Sequence, residues 1–245
     1  MVYAKQIRGL LATAVRRWVL PSRCIACGLP GDDWDLCGAC QAQLPVNVHA
    51  CTRCGLPLSD TQSELICGSC LKRPPAYQAA YCAYKYAYPI EHLIRKMKYA
   101  GALAHARVLG DLLACHLRTQ HCGAWPDCLI PVPLHRTRFQ QRGYNQVVEL
   151  GRFLAQSLEI EMRTDLVERI RHTPEQAGLS RKVRRKNLRR AFAATNVALP
   201  KHVALLDDVV TTGSTVNELA ITLRKAGIES IEVWSLARVA RKGSR

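Results

Sequence analysis

Eight of the chain's twelve cysteines fall in four CxxC pairs: Cys24/Cys27, Cys37/Cys40, Cys51/Cys54 and Cys67/Cys70. The first and third pairs read CIACGLP and CTRCGLP, and the second and fourth LCGAC and ICGSC, so the segment is a tandem duplication with four thiols per copy. A CxxC turn converges two sulfurs at about 2.3 Å from one tetrahedral Zn²⁺. Two structural zinc ions are expected: if each copy is complete, one is held by Cys24, Cys27, Cys37 and Cys40 and the other by Cys51, Cys54, Cys67 and Cys70. Cross-braced pairing is the alternative geometry. Disulfide, redox or iron–sulfur chemistry competes with zinc, although a thioredoxin-like site needs one CxxC rather than four. Four sulfurs leave no open coordination position, so the metals supply folding energy to a segment with little core of its own.

A chain of 245 residues with 48% hydrophobic composition can fill one α/β core and carry this small appendage. Its net charge of +16 favours a polyanionic partner. No apolar window reaches the ~18 residues of a membrane span, because IRGLLATAV is interrupted by Arg16 and Arg17. Ile7, Leu10, Leu11, Ala14, Val15 and Trp18 instead keep the period of an amphipathic docking helix within residues 1–20. A cytoplasmic chain with reduced cysteines is expected. Cys115, His116, His121, Cys122 and Cys128 are spaced too irregularly for a third metal site, and Cys82 sits in a strand-like run that reads as core.

The double zinc ribbon is expected over residues 21–75 and a second domain over 76–245, where the pattern becomes one of alternating strands and helices. AYQAAYCAYKYAY reads as β, PIEHLIRKMKYAG and ALAHARVLGDLLACHL as helices, DCLIPVPL as a strand, HRTRFQQRG as a polar loop and YNQVVELGRFLAQSL as a helix. HVALLDD reads as a buried strand, STVNELAITLRKAG as a helix and IESIEVWSLARVA as the final strand. This alternation predicts a parallel sheet with helices on both faces and ligands at the carboxyl ends of its strands.

VALLDDVVTTGSTV, residues 203–216, carries the strongest functional signal. An apolar central strand leads into Asp207 and Asp208, then into Gly213 flanked by Thr211, Thr212, Ser214 and Thr215. Amides of 211–215, the hydroxyls and the positive end of the following helix form a nest for a phosphate dianion. No GK[ST] follows, so this is not a Walker loop. The acids stand one sugar length away, where they can accept hydrogen bonds from vicinal hydroxyls; a ribose 5-phosphate meets both demands. An ordinary capped turn would explain Ser214 or Thr215 but not the paired acids.

VALLDDVVTTGST resembles the phosphoribosyl pyrophosphate (PRPP) motif of type I phosphoribosyltransferases. The ordered set of cysteine pairs, KMKYAG, PVPLHRTRFQQRGYNQ, TPEQAGLSRKVRRKNLRRAF and the PRPP motif is similar to the ComF/GntX family over nearly the whole chain. The resemblance implies a phosphoribosyltransferase-like α/β domain after a double zinc ribbon. It places PRPP on Asp207, Asp208, Val209, Val210, Thr211, Thr212, Gly213, Ser214 and Thr215, with Asp207 and Asp208 on the ribose hydroxyls and as the catalytic acids. Residues 135–142 would lie near pyrophosphate, with Arg136, Arg138 and Arg142 as clamp candidates, and residues 176–185 would form a mobile hood loop. Mg²⁺ would accompany PRPP.

Two functions follow from these residues. One is phosphoribosyl transfer to an unspecified acceptor, which would suffice for a role in nucleotide metabolism alone. The other is single-stranded DNA handling in competence or DNA utilisation, with competence or recombination proteins as partners. Residues 136–190 hold fourteen Arg or Lys against six acids. Arg181, Lys182, Arg184, Arg185 and Lys186 are the candidate phosphate contacts, and Phe139 and Tyr144 the stacking faces. The same run also reads as a helix with Val183 and Leu188 inward and a solvated cationic face.

Overall fold

The computed structural model describes residues 22–31, 35–59, 65–99, 103–171 and 190–240. The expected N-terminal helix, the hood loop and the basic run 181–186 lie outside these residues. Two compact units are present, Met1–Leu44 and Pro45–Arg245, so the second cysteine repeat shares a unit with the α/β sheet.

The two repeats fold alike. In the first, Cys24 N donates to Leu29 O and Gly28 N to Cys24 O; in the second, Cys51 N donates to Leu56 O and Gly55 N to Cys51 O, all at 2.7–2.8 Å. The second cysteine pair of each copy opens a one-turn helix, α1 (Gly38–Ala42) or α2 (Gly68–Lys72), with Cys37 and Cys67 at the N-caps.

The larger unit continues with β1 (Ala79–Lys85), α3 (Ile90–Tyr99), α4 (Leu103–Gln120), β2 (Cys128–Pro131), α5 (Arg136–Arg142), α6 (Gln146–Leu158) and β3 (Glu161–Met162). After them come the antiparallel pair β4 (Val167–Arg169) and β5 (Phe192–Ala194), then β6 (His202–Val210), α7 (Ser214–Lys225) and β7 (Ser230–Arg238). Five strands form a parallel sheet in the order β1-β7-β6-β2-β3. β6 is central, which is why VALL is apolar on both faces and fully buried.

The connection β2–α6–β3 runs one way across the sheet and β6–α7–β7 the other. Right-handed crossovers then put α6 and α7 on opposite faces. Side-chain alternation agrees: Val203 and Leu205 join the cluster with Val216, Leu219 and Leu223 of α7, whereas Leu206 lies against Gly151 of α6. The reversal of direction falls between β2 and β6, the position at which open α/β sheets form a ligand crevice.

One sequence expectation is revised. HRTRFQQRG is not a loop: residues 136–142 form α5, whose N-cap His135 accepts from Thr137 N. The segment carries no apolar stripe, so its helical period was invisible, and the turn is set by its cap.

Candidate functional site

β2 pairs with β6 only as far as Pro131 opposite Leu206, with Val132 N donating to Leu206 O at 2.9 Å. Pro133 has no N–H with which to extend the ladder. β6 nevertheless continues to Val210 along β7. Asp207, Asp208 and Val209 therefore line an open β2-side edge at the switch point, inside the strand rather than beyond its end.

The two acids leave opposite faces of β6. Asp208, 5% exposed, meets Lys98 of α3, whose Nζ lies 3.0 Å from Oδ2, and Gln146 of α6, whose Nε2 donates to the same oxygen at 3.1 Å. Burial opposes the charge on Lys98, but Asp208 and then Asp207 outweigh it and raise its pKa. Asp207 has the opposite problem: burial first, and Asp208 second, push its carboxyl up to about 8 against the pull of Lys98 and Arg169.

The segment RGYNQ builds much of this wall. Tyr144 Oη donates to Met97 O at 2.7 Å, holding the turn of α3 that carries Lys98. Asn145 caps α6 by accepting from Val147 N at 3.0 Å, and its Nδ2 grips Val132 O at 3.2 Å. Arg142 donates to Gln146 Oε1 at 3.3 Å, so Arg142, Gln146, Asp208 and Lys98 form a continuous polar chain. Of the three arginines named for pyrophosphate, Arg142 is half-buried in this chain and Arg136 is exposed; the side chain of Arg138 lies outside the described residues.

Beyond Val210, Gly213 takes φ +75° as the N-cap of α7. A Cβ there would meet only Tyr77 Oη at 3.6 Å and Val210 at 3.9 Å, so the need for glycine is conformational rather than steric. Ser214 N donates to Thr212 Oγ1 at 3.3 Å, and Thr212 Oγ1 to Ser214 Oγ at 2.9 Å. The loop thus leads into the positive end of a twelve-residue helix a few residues from the acids. Lys98 and Gln146 were not singled out from sequence.

The cysteines converge as two sets, Cys24/Cys27/Cys37/Cys40 and Cys51/Cys54/Cys67/Cys70, with the four sulfurs of each within 4.8 Å of one another. The pairing is by repeat and not cross-braced. Cys27 and Cys37 sulfurs are 3.8 Å apart, and those of Cys54 and Cys67 3.7 Å. A tetrahedron with ~2.3 Å Zn–S bonds has edges of about 3.8 Å, so both sets fit a closed structural zinc site. Cys51 is pushed down to about 4, chiefly by the Cys54 thiol and, against burial, by the backbone N–H groups of Cys67, Cys54 and Arg53. Cys51 is thus the sulfur that ionises first in this set, while the Cys51 sulfur pushes Cys54 up and burial pushes Cys70 up to about 12. Cys82 and Cys128 are buried, Cys115 and Cys122 exposed; among the described residues they join no converging donor set.

Residues 15–71 match the double zinc ribbon domain family. Among solved structures, adenine phosphoribosyltransferase from Leishmania tarentolae is 15% identical with a TM-score of 0.35, covering 66% of this chain and 76% of that one. Hypoxanthine phosphoribosyltransferase from Trypanosoma cruzi is 16% identical with a TM-score of 0.32, covering 63% and 71%. DNA utilization protein YhgH of Escherichia coli K12 is 35% identical over 224 residues, 89% of this chain and 98% of that protein. Competence protein F of Haemophilus influenzae is 40% identical over 209 residues, 83% of this chain and 90% of that protein. With such identity over most of both lengths, a paired-cysteine ribbon and the ordered motifs that follow it, the chain belongs to the ComF/GntX family of competence protein F and YhgH.

Proposed function

We propose that the protein binds PRPP, together with Mg²⁺, in the crevice between β2 and β6 and handles single-stranded DNA. The observation that carries the first part is the junction at the end of β6. An acid pair on an open strand edge leads within a few residues into a left-handed glycine and a helix N-terminus. Amides of 211–215 and the dipole of α7 receive the 5-phosphate. Asp207 and Asp208 accept from the ribose hydroxyls. As those hydroxyls approach Asp208, Lys98 is freed to turn, with Arg142, toward pyrophosphate. The acids and phosphates are the hard oxygen donors that Mg²⁺ prefers, and the ion supplies charge neutralisation when bound.

The same cations would stabilise pyrophosphate as a leaving group, which supports phosphoribosyl transfer to an acceptor as the activity of this site. Isotope-labelled PRPP with Mg²⁺, offered with a panel of bases and single strands, separates the cases. Retention of label on the protein is expected. Acceptor-dependent pyrophosphate release identifies a transferase, release without DNA binding favours nucleotide metabolism alone, and failure to retain PRPP contradicts the reading.

Support for the DNA part comes from the names of the relatives, from the +16 charge, and from α5, where Phe139 is 50% exposed beside an exposed Arg136. A flat aromatic face next to a cation is a sequence-tolerant stacking platform. The run Arg181, Lys182, Arg184, Arg185 and Lys186 adds backbone contacts in this reading.

A further inference from the structure

Arg238, the last residue of β7, is 3% exposed and has no carboxylate partner among the described residues. Its Nε donates to Cys54 O at 3.0 Å. One terminal nitrogen donates to Val210 O at 2.8 Å, to Val239 O at 3.3 Å and, more closely, to Thr211 O. One buried guanidinium thus joins the backbone of a zinc-ligating cysteine to the two carbonyls from which the phosphate loop springs. A zinc ion with four thiolates carries a net charge of −2, the counter-charge that a buried cation otherwise lacks.

Both sides of this bridge are anchored. Asn47 Nδ2 donates to Gly55 O at 2.9 Å and to Cys82 O at 3.2 Å, and Ala80 N donates to Thr52 O at 3.1 Å, so the knuckle 51–55 is bonded to β1. Gly55 has φ +66°, and a Cβ on it would come within 2.4 Å of Cys82 Sγ. Tyr77, 3% exposed, brings its hydroxyl against Gly213.

We propose that the second cysteine set is a positioning element for the phosphate loop. Metal at Cys51, Cys54, Cys67 and Cys70 holds Arg238, and Arg238 holds the carbonyls of Val210 and Thr211, so that the amides of 211–215 stay aimed at the crevice. The consequence for PRPP rests on the function proposed above, but the consequence for the loop does not.

The test is hydrogen exchange of the full-length protein without ligand, reading 210–215 against 202–206 of the same strand, in wild type, Arg238→Gln and Arg238→Lys, and in wild type as a chelator withdraws zinc. At least tenfold loss of protection at 210–215 with 202–206 unchanged is expected for Arg238→Gln and on withdrawal of the second ion. Arg238→Lys, which keeps the charge but not the fork, should fall between. Equal loss across β6 would overturn the proposal in favour of a mere folding requirement, and unchanged protection at 210–215 would overturn it outright. PRPP titration with Mg²⁺ is run in parallel: selective loop loosening with at least tenfold weaker PRPP binding supports both readings. Selective loosening in a wild type that never binds PRPP supports the coupling and refutes the ribose-phosphate assignment.

Discussion

The two cysteine repeats are near copies in sequence and in local hydrogen bonding, yet their surroundings differ. All four sulfur ligands of the second set are buried, whereas the first has one buried, two half-buried and one exposed. The second set belongs to the unit that holds the sheet, the first to the unit ending at Leu44. A duplicated ligand pattern fixes coordination, but what a metal does for the rest of the molecule depends on the bonds its knuckle makes outward. In the second repeat those bonds run to β1 and, through Arg238, to the carbonyls of Val210 and Thr211.

The contrast is broken most severely by removing ligands. Cys51→Ser/Cys54→Ser should cost one zinc equivalent and lower the melting temperature of residues 45–245 while leaving their unfolding cooperative, because ligand binding in such sites contributes folding energy. Cys24→Ser/Cys27→Ser should cost one equivalent and leave that transition in place. Metal analysis with calorimetric melting checks both, and loss of two equivalents from either variant would mean that the sites are not independent.

Gly213→Val acts on the other side of Arg238. A β-branched residue at φ +75° carries ~1–3 kcal/mol of strain, so PRPP affinity should fall at least tenfold with zinc content unchanged. Gly213→Ala, whose Cβ meets only ordinary van der Waals neighbours, should fall several-fold less. Equal affinities in all three proteins would leave the loop an ordinary capped turn.

Proton linkage gives a graded effect. Asp207 is held up to about 8, so between the usual carboxylate range and that value the folded protein keeps a proton that the unfolded chain has lost. The contribution of this group to stability therefore falls as pH rises through that window. PRPP affinity, which needs the carboxylate, should rise by up to about tenfold per pH unit from pH 6 and level off above 8. Asp207→Asn carries the ligand's own titration and is the baseline. Parallel profiles for the two proteins would remove Asp207 from the site.

The smallest effect concerns DNA, where the first repeat and the second should not differ. Neutralising Arg181, Lys182, Arg184, Arg185 and Lys186 should flatten the slope of log K against log salt by about 0.7 for each DNA phosphate no longer neutralised, measured by fluorescence anisotropy with a single strand. An unchanged slope would make the run a solvated face.

What the sequence made legible was local. CxxC spacing announces two tetrahedral sites, and strand–helix alternation announces the parallel sheet. What it concealed was long-range: Lys98 lies 110 positions before Asp208, and nothing in KMKYAG says which acid it will meet. Gln146 sits in a motif whose shape depends on Tyr144 and Asn145 gripping backbone elsewhere. Arg238 left one faint signal, a cation closing the stretch VWSLA, which local patterning reads as the strand's exit into solvent.

The most direct measurement is calorimetric titration of PRPP with Mg²⁺ into wild type and Asp207→Asn/Asp208→Asn, both carrying two zinc equivalents. Asn keeps the size of Asp but loses the charge that strengthens each bond to a ribose hydroxyl, about 1.5–3 kcal/mol per charge-assisted bond. The predicted result is binding by wild type and at least tenfold weaker binding by the variant, both proteins being folded at the titration temperature; equal affinities, or no binding by wild type, would contradict the assignment of β6 and its loop to ribose phosphate.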